Sequence, residues 1–493
     1  MAGIVSYGGY IPRYRLSRKR IFQAMGWLNP GTAAHAQGEK AVANFDEDSI
    51  TMATSASIDS LKDMDRSKIE GMHFASTTMP YKERLNAGII ATALNLSETI
   101  RSSDSGHALR SGTTALISAL ETIEAGRAKR ILVCAADTRL GKMGTPQEMI
   151  FGDGAAALVV GEDHVIAEFK GSFSLSYDFV DHYRGEMSKY DRSWEERWMR
   201  DEGIHKFIPA AIKGLLKKYS LELSDFAKII YPCHFATEHK RIAKKLGVEE
   251  EKNQGTMMEM IGDTGTAHPL IMLVKALEEA QPGQKILLVS FGNGCDAIFF
   301  EITEEVNESK KRKGVSGHLM EKREMASYEK YLVFRGLGQA DLGLRSEEDI
   351  WTRWSFLWRN RKTIFGLVGS RCLRCGTPQY PPQRVCINPD CGAIDQMEEY
   401  TFADKAGYIF NYTGDMLAAS FDPPAMHGQV DFEGGGRYWF DFTDCSLDEL
   451  KVGRRVEMNF RRRYYDSRRD IHGYFWKAVP AKAGGPNGGR NKR

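Results

Sequence analysis

The chain has 493 residues, 42% of them hydrophobic and 27% charged, with a formal net charge of +2. This length predicts two or three domains, and the near-neutral charge excludes a whole-chain field that would attract nucleic acid or an anionic membrane. The first residues lack the basic start and apolar stretch of a signal peptide, and no apolar run approaches the ~20 residues of a membrane span. We therefore expect a soluble, cytoplasmic protein.

Residues 1 to about 305 alternate between strand-like and helix-like segments. Gly112–Gly126 and Pro269–Ala280 carry apolar residues at helical spacing. Apolar runs rich in β-branched or aromatic residues predict buried strands at Gly71–Thr77, Arg130–Ala135, Ala155–Val160, Lys228–His234, Lys285–Ser290 and Asp296–Ile302. Strands that alternate with helices predict a layered α/β domain.

Residues 306–365 are rich in Lys, Glu and Arg, and we expect a helical linker there. Ser346 and Asp349 have a spacing that resembles a capping box. The helix that they would open carries Trp351, Trp354 and Trp358. So many tryptophans indicate a helix that packs against a domain and is not a free linker, and they favour a core helix over a cofactor-binding box.

Four of the eight cysteines lie within twenty residues and form two pairs, Cys372, Cys375, Cys386 and Cys391. Two pairs on tight turns can supply the tetrahedral thiolate set that zinc prefers, and Gly376 and Gly392 follow the pairs where the backbone must turn. The pattern predicts a zinc ribbon at residues 366–395, with four free buried cysteines as the alternative. Because no general base accompanies these cysteines, we expect the zinc to be structural.

Residues 396–480 show period-two alternation, for example in Tyr438–Phe442 and Arg455–Phe460, with glycine-rich turns. This pattern predicts a small antiparallel barrel of the OB-fold type. Residues 481–493 are rich in Gly and Lys and are expected to be a disordered tail.

Arginines and aromatic residues alternate along the last predicted strands, between Arg454 and Trp476. Such a strip could bind the phosphates and adenine of coenzyme A, because arginine forks suit phosphate and aromatic rings suit a purine. It could equally bind single-stranded nucleic acid, or form a solvated strand edge that discourages aggregation.

Two glycine- and serine-rich stretches stand out in the α/β part. Ser105–Ala115 leads into a predicted helix, whose N-terminus could polarise a thioester carbonyl. Gly292, Asn293 and Gly294 connect two strands, so their backbone could approach a ligand closely. We predict that Leu109 and this glycine turn form the coenzyme A and oxyanion region.

Five stretches of residues 1–305 resemble 3-hydroxy-3-methylglutaryl-CoA synthase and, more distantly, the ketoacyl synthase III group of the thiolase superfamily: Ser76–Tyr81, Ala108–Thr113, Gly152–Ala157, Gly262–Ala267 and Gly292–Gly294. The resemblance implies a five-layer αβαβα domain, a homodimer, and acyl-CoA as the substrate. Residues 366–480 resemble the zinc-ribbon/OB-fold proteins that accompany thiolases, which implies help in holding coenzyme A and a possible partner thiolase or synthase subunit. This context favours coenzyme A over nucleic acid for the arginine strip.

The resemblance breaks at the family's catalytic positions. The nucleophilic cysteine, four residues before the threonine of a Gly-Thr pair, is Leu109 here, and leucine cannot form an acyl-thioester. The family's general-base glutamate falls near Thr77, and an asparagine of the family is Asp263. The family's histidine falls at Pro232 or Cys233. We therefore expect the fold of the family without its ping-pong mechanism, which requires a covalent acyl-enzyme.

Two functions remain open. In the first, aldol or retro-aldol chemistry proceeds with an acid and a base but no covalent intermediate, and the candidate groups are His234, Asp263 and His268, with His107 beside the former nucleophile position. In the second, the domain is an inactive subunit that binds coenzyme A or assembles a complex.

Each candidate has a structural alternative. His234 could be satisfied by a hydrogen bond at a strand end, Asp263 could be a turn residue that caps the next helix, and His268 could lie in an N-cap region. Cys233 could be a displaced nucleophile, although a buried apolar cysteine is favoured. Neighbouring residues of a strand alternate faces, so we expect Cys233 and His234 to point to opposite sides, with only one of them facing a given pocket.

Overall fold

The computed structural model describes residues 1–310, 312–343 and 350–481, the side chains of residues 308 and 309 excepted. The chain forms two compact units, Met1–Gly338 and Gln339–Arg493. None of the helices in the described ranges is both long and apolar enough to cross a bilayer.

The first unit contains fourteen strands in its described residues. They are β1 (Gly3–Tyr10), β2 (Tyr14–Ser17), β3 (Glu39–Val42), β4 (Gly71–Ala75), β5 (Arg101–Ser105), β6 (Arg130–Asp137), β7 (Gly154–Gly161), β8 (Ala167–Ser176), β9 (His182–Tyr183), β10 (Arg192–Ser193), β11 (Lys228–Ile230), β12 (Lys285–Phe291), β13 (Gly294–Ile302) and β14 (Arg323–Glu324).

The helices of the first unit follow in chain order. They are α1 (Arg18–Met25), α2 (Ser49–Ser60), α3 (Asn86–Ala93), α4 (Ser111–Glu124), α5 (Pro146–Ile150), α6 (Glu196–Trp198), α7 (His205–Tyr219), α8 (Ala236–Leu246), α9 (His268–Glu279), α10 (Val306–Ser309), α11 (Gly314–Met320) and α12 (Tyr328–Phe334). Short 3-10 turns lie at Pro30–His35, Arg66–Lys68, Leu223–Asp225 and Gly265–Ala267, and a π-helical segment, Met199–Ile204, joins α6 to α7.

Nine strands hydrogen-bond in the order β11-β12-β13-β8-β1-β7-β6-β4-β5. Helices α4 and α9 share one buried cluster with both halves of this strand array. Helices α2 and α3 cover the outer face of the β1–β5 half, and α7 covers the outer face of the β8, β12 and β13 half. The layers therefore run α, β, α, β, α, which confirms the predicted thiolase-like arrangement.

Burial explains why these segments read as apolar runs. Strand β7 is buried throughout, because helices pack on both of its faces. Helix α9 lies in the central layer, and every residue from His268 to Leu277 except Lys275 is buried. Helix α4 instead buries one face, with Leu116, Leu120 and Ile123 inside.

The first unit extends beyond the boundary expected near residue 305. Helix α11 packs on β1 and α9, and β14 pairs with β2. Helix α12 buries Tyr328, Tyr331 and Phe334 in a cluster with Tyr14 and Leu16. These contacts pack α11 and α12 against the α/β layers, and the first unit ends at Gly338, so the expected linker does not begin at residue 306.

The expected core helix of the tryptophan segment is wrong. Ser346 and Asp349 lie outside the described residues, and the helix here, α13 (Trp354–Arg359), has six residues. Trp351, Trp354 and Trp358 are 70%, 49% and 65% exposed. A second short helix, α14 (Arg361–Phe365), follows, and only its Phe365 is buried.

The second unit combines a small ribbon with a barrel. Strands β15 (Val368–Cys372), β16 (Pro378–Gln379) and β17 (Met397–Thr401) form a three-stranded sheet in the order β16-β15-β17. A five-stranded sheet in the order β20-β19-β18-β21-β22 comprises β18 (Gly407–Asp415), β19 (Ala425–Phe432), β20 (Arg437–Asp441), β21 (Arg455–Asp466) and β22 (Ile471–Pro480).

The five-stranded sheet curls back on itself. Phe442, just after β20, forms a parallel bridge with Ala478 of β22, and Thr443 donates its N–H to the Ala478 carbonyl at 3.1 Å. This joins the two edges of the sheet and removes most of its free edge. The expected small barrel is therefore present, and its assignment as an OB fold stays a prediction.

Candidate functional site

The first unit encloses a cavity of about 280 Å³ beside the start of α4. Apolar side chains form much of its wall, among them Leu109, Ile150, Phe151, Met199, Phe235 and Phe291. Polar side chains interrupt this wall: Arg139, Gln147, Asp181, His182, Ser193, Glu196, Cys233, His234 and Asp263. An apolar cavity with a few converging polar groups is typical of a small-molecule site.

Arg139 is the buried cation of the cavity. Its Nε donates to Asp191 Oδ2 at 2.7 Å and its Nη1 donates to Asp263 Oδ2 at 3.1 Å. Arg184 donates to the other oxygen of Asp191 at 2.5 Å. The guanidinium of Arg139 also stacks on the ring of Phe151, 3.8 Å from its centroid. The network therefore holds two buried carboxylates ionised and fixes Asp263 at the cavity wall.

Asp263 serves both the turn and the ion pair. Its Oδ1 accepts the backbone N–H of Gly265 at 2.9 Å, which is the capping role considered as its structural alternative. Burial alone would raise the pKa of Asp263, but the positive charge of Arg139, with help from His268 and His234, lowers that pKa to about 2. Asp263 is therefore a fixed negative charge at neutral pH.

His234 lines the cavity and is half-buried. Burial lowers its pKa from the ordinary value, although the negative charge of Asp263 opposes that change. The imidazole is consequently neutral at pH 7 and able to accept a proton. The structure thus brings together two of the predicted acid–base residues, His234 and Asp263.

Cys233 and His234 both line the cavity, so the expectation that they point to opposite faces is wrong. Strand β11 ends at Ile230, and Pro232 has no N–H with which to continue the ladder, so strand alternation does not apply. Cys233 is buried, and its thiol donates to the carbonyl of Phe235 at 3.4 Å. Burial raises the pKa of this thiol to about 12, so it is not a nucleophile at neutral pH.

The structure does not bring His268 or His107 into the cavity wall. His268 is fully buried, with its Nδ1 3.0 Å from the Thr264 hydroxyl and its Nε2 2.8 Å from the carbonyl of Thr256. Both ring nitrogens are therefore engaged. His107 is exposed and has a left-handed φ of 75° in the turn before α4.

The Gly292–Gly294 turn lies directly against the start of α4. A Cβ on Gly292 would lie 2.9 Å from the backbone nitrogens of both Leu109 and Arg110, so no larger residue fits there. Arg110 donates from Nε to the carbonyl of Gly292 at 3.0 Å. Leu109, the predicted position of the family's nucleophile, therefore contacts this turn and also lines the cavity. Asn293 adopts φ 49° and donates its N–H to Asp181 Oδ1 at 2.9 Å.

Thr77 occupies the predicted position of the family glutamate. Its N–H donates to Asp137 at 2.7 Å and its carbonyl accepts from Arg184. Its hydroxyl is buried without a hydrogen-bond partner among the described residues. A threonine cannot act as the carboxylate base that this position holds in the resemblance.

Two features of the cavity escaped the sequence reasoning. Arg139 pairs with Asp263 across 124 residues, and no local pattern marks that contact. Asp181 and His182 form a hydrogen-bonded pair in the cavity wall, with His182 Nδ1 2.6 Å from Asp181 Oδ2. Adjacent Asp and His between two predicted elements were a visible signal for that pair.

The four cysteines of the second unit converge as predicted. Their sulfur atoms all lie within 4.8 Å of one another, with Cys372–Cys391 at 3.8 Å and Cys375–Cys386 at 3.4 Å. Zn–S bonds of about 2.3 Å in a tetrahedron require sulfur–sulfur distances of about 3.8 Å. Gly376 and Gly392 have φ of 75° and 56°, which confirms the turns after each pair. The donor set therefore fits a structural zinc ion.

The arginine strip does not form one surface. Arg461 is fully buried and pairs with Asp444 at 2.5 Å. Trp476 is also buried and donates its Nε1–H to the carbonyl of Phe365 at 2.7 Å. Arg463 and Arg468, in contrast, are exposed. Arg461 and Arg463 would share a face in a regular strand, but the pairing of β21 with β22 shifts register between Arg462 and Tyr464. Part of the strip therefore stabilises the barrel interior.

Family models match both units. Models of 3-oxoacyl-[acyl-carrier-protein] synthase III and of its C-terminal domain match residues 103–176 and 216–299. The model described as ChsH2, rubredoxin-like zinc ribbon domain, matches residues 364–395. The last match covers all four cysteines and confirms the predicted zinc ribbon.

Curated relatives cover about two thirds of the chain. The hydroxymethylglutaryl-CoA synthase of Methanocaldococcus jannaschii is 31% identical over 344 residues, which are 68% of this chain and 99% of the relative. That of Caldivirga maquilingensis is 31% identical over 341 residues, 68% of this chain and 97% of the relative.

Solved structures share the fold of the first unit. A crystal structure of HMG-CoA synthase complexed with CoA has a TM-score of 0.61 at 20% identity, covering 71% of this chain and 95% of that one. A second structure, with 3-hydroxy-3-methylglutaryl coenzyme A, has a TM-score of 0.61 at 22% identity and covers 68% and 92%.

Proposed function

The chain belongs to the hydroxymethylglutaryl-CoA synthase family, and on that premise we propose that it makes or breaks a carbon–carbon bond in an acyl-CoA by an aldol or retro-aldol step. The observation that carries the proposal is the composition of the cavity. It holds acid–base and charged groups, and the one thiol among its described lining residues, Cys233, is protonated because burial raises its pKa.

The cavity can support enolate chemistry without an acyl-enzyme. In the condensing direction, a base removes a proton from the α-carbon of an acyl thioester, and the enolate adds to a carbonyl group. His234 is neutral at pH 7 and half-buried, so it can accept that proton. Arg139 keeps the carboxylate of Asp263 ionised, and this negative charge stabilises the imidazolium that forms on His234.

The start of α4 supplies the electrostatic support for the enolate. Backbone N–H groups at a helix N-terminus stabilise negative charge that develops on a thioester oxygen. Leu109 lies at that terminus and lines the cavity. Its side chain cannot act as a nucleophile, but the backbone N–H groups at the start of α4 do not depend on that side chain.

Coenzyme A is proposed as the carrier of the substrate, and the zinc ribbon and barrel as a module that helps to hold it. Exposed arginines such as Arg463 suit the phosphates of the carrier. A homodimer, and a partner thiolase or synthase subunit, remain proposals that rest on the family resemblance.

A second function is favoured by Leu109 and Thr77 together. Both family catalytic positions carry residues that cannot perform their former roles, which is the pattern of a subunit that binds coenzyme A and assembles a complex. Activation of a partner enzyme, combined with inactivity towards every β-hydroxyacyl- and β-oxoacyl-CoA tested, would establish this alternative.

We expect the protein to cleave at least one β-hydroxyacyl-CoA into an acyl-CoA and a carbonyl compound. Mass spectrometry of both products measures this cleavage. Substitution of His234 by Asn should lower kcat for this cleavage by about 10²–10⁴-fold, because general acid–base groups contribute that much. His164→Asn is the control, since the His164 side chain is 76% exposed. Equal rates in the wild type and His234→Asn would remove His234 from the mechanism.

A further inference from the structure

We propose that Asp181 and His182 form a second acid–base pair in the cavity, and that His182 moves the proton of the substrate's β-oxygen during carbon–carbon bond cleavage or formation. This inference rests on the proposed function and deepens it. An aldol step moves one proton at the α-carbon and another at the β-oxygen, and each transfer needs a group within hydrogen-bond reach of its own atom.

The pair is built into the wall of the cavity. His182 Nδ1 lies 2.6 Å from Asp181 Oδ2, and the two side chains are 10% and 1% exposed. A buried carboxylate acceptor keeps the proton on Nδ1, which leaves Nε2 as the nitrogen that can exchange a proton with a ligand. Both residues line the cavity.

Asp181 is held in place from the opposite side by the glycine turn. Its second oxygen, Oδ1, accepts the backbone N–H of Asn293 at 2.9 Å. The same turn contacts the start of α4, where a Cβ on Gly292 would lie 2.9 Å from the nitrogen of Leu109. One continuous chain of contacts therefore links His182 to the place where the thioester carbonyl is proposed to bind.

The two residues form an arrangement in which a carboxylate orients a histidine that acts as a base. The carboxylate fixes the ring orientation and tautomer of the histidine and stabilises its protonated form, without itself taking up the proton. Asp181 is therefore a positioning residue, and His182 is the catalytic residue of the pair. His234 is distinct from this pair, because the charges that shift its pKa are those of Asp263, Arg139, Glu196 and His35.

The two histidines divide the retro-aldol reaction. His182 Nε2 takes the proton of the β-hydroxyl, the β-oxygen becomes a carbonyl, and the bond between the α- and β-carbons breaks. Its electron pair forms the thioester enolate, which takes a proton at the α-carbon from His234 after this resting-state neutral imidazole has taken one up from solvent, and His182 returns its own proton to solvent. The β-hydroxyacyl-CoA thus yields one carbonyl compound and one acyl-CoA, and atoms and electrons balance without an oxidant or reductant.

The test separates the two proton transfers. Carbon–carbon cleavage of a β-hydroxyacyl-CoA is measured together with exchange of the α-protons of the product acyl-CoA in deuterium oxide. His182→Asn retains a donor towards Asp181 and should lower kcat for cleavage by about 100-fold or more, while α-proton exchange stays within a few-fold of wild type. Asp181→Asn should also lower kcat for cleavage and spare exchange.

A matched control and a rescue experiment keep the role of His182 distinct from a structural one. His205 Nε2 lies 2.6 Å from Glu238 Oε2 in an equivalent pair outside the cavity wall, so His205→Asn should leave both reactions unchanged. His182→Ala should regain cleavage when imidazole is added, because the free base can enter the space that the side chain leaves.

Three results would contradict the proposal. Undiminished cleavage by His182→Asn would show that another group handles the oxygen. Loss of cleavage and exchange together, without imidazole rescue, would assign His182 a structural role. In both cases an active wild type preserves the proposed function, whereas a wild type that cleaves no β-hydroxyacyl-CoA overturns the proposed function and this pair together.

Discussion

Replacement of Arg139 by methionine is expected to destabilise the first unit by about 3–5 kcal/mol, the usual effect of breaking a buried ion pair. Methionine fills much of the space but leaves Asp263 as a buried carboxylate without its cation, whereas Asp191 keeps Arg184. Urea unfolding, followed by a probe confined to the first unit, measures the change. Loss of cleavage activity should accompany it, because the charge that faces His234 is no longer fixed.

The control for this substitution is Arg20→Met. Arg20 forms an exposed ion pair with Glu324, with side chains 41% and 67% exposed, so the loss should be no more than about 1 kcal/mol. Equal destabilisation by the two substitutions would contradict a special role for the buried network.

The effect of Arg139→Met on the free energy of unfolding should also depend on pH. Because the pKa of Asp263 is lowered to about 2, its ionised form stabilises the fold above the ordinary pKa near 4, and this contribution disappears as pH falls towards 2. The contribution is on the order of 2 kcal/mol. In Arg139→Met, burial without the cation should raise the pKa of Asp263. At acid pH this carboxyl group is protonated in both proteins, so the difference in stability between wild type and variant should shrink.

Substitution of Cys386 by Ser is expected to abolish zinc binding and with it the fold of the ribbon. Zinc contributes about 10–16 kcal/mol to the folding of small zinc domains. The apolar cluster around the two buried cysteines, Cys372 and Cys386, is small and contains Ala393, Cys391 and Met397. The zinc content measured by elemental analysis should fall from one ion per chain to nearly none. A protease at limiting concentration should then cut the variant within residues 366–395.

Cys445→Ala provides the comparison for that experiment. Cys445 is buried in the same unit but is not among the four converging cysteines. The variant should therefore keep its zinc. Full zinc content in Cys386→Ser, or its loss in Cys445→Ala, would disprove the four-cysteine site.

Local patterns in the sequence were enough for features that depend on local spacing. The four cysteines and the glycines after them determine the ribbon, because both ligand pairs lie on tight turns. The α/β alternation likewise follows from runs such as β7, which is buried on both faces. The assignment of Leu109 to the family's nucleophile position rests on the motif residues around it and stays a prediction.

Long-range contacts could not be read from the sequence. The ion pair of Arg139 with Asp263 depends on how distant loops meet, and the burial of His268 depends on α9 lying in the central layer. Strand β11 ends before Pro232, which places both Cys233 and His234 in the wall. Tryptophan content alone misplaced the helix after residue 350, because exposed tryptophans leave the same signal as buried ones.

The central claim is acyl-CoA chemistry without a cysteine acyl-enzyme, and intact-mass spectrometry during turnover tests it most directly. Wild type incubated with acetyl-CoA, acetoacetyl-CoA and a β-hydroxyacyl-CoA should carry no added acyl group while product forms. Leu109→Cys restores a thiol at the start of α4 and should gain one acyl mass, which verifies that the thioester reaches this position. An acyl adduct on Cys233 of the wild type would contradict the account.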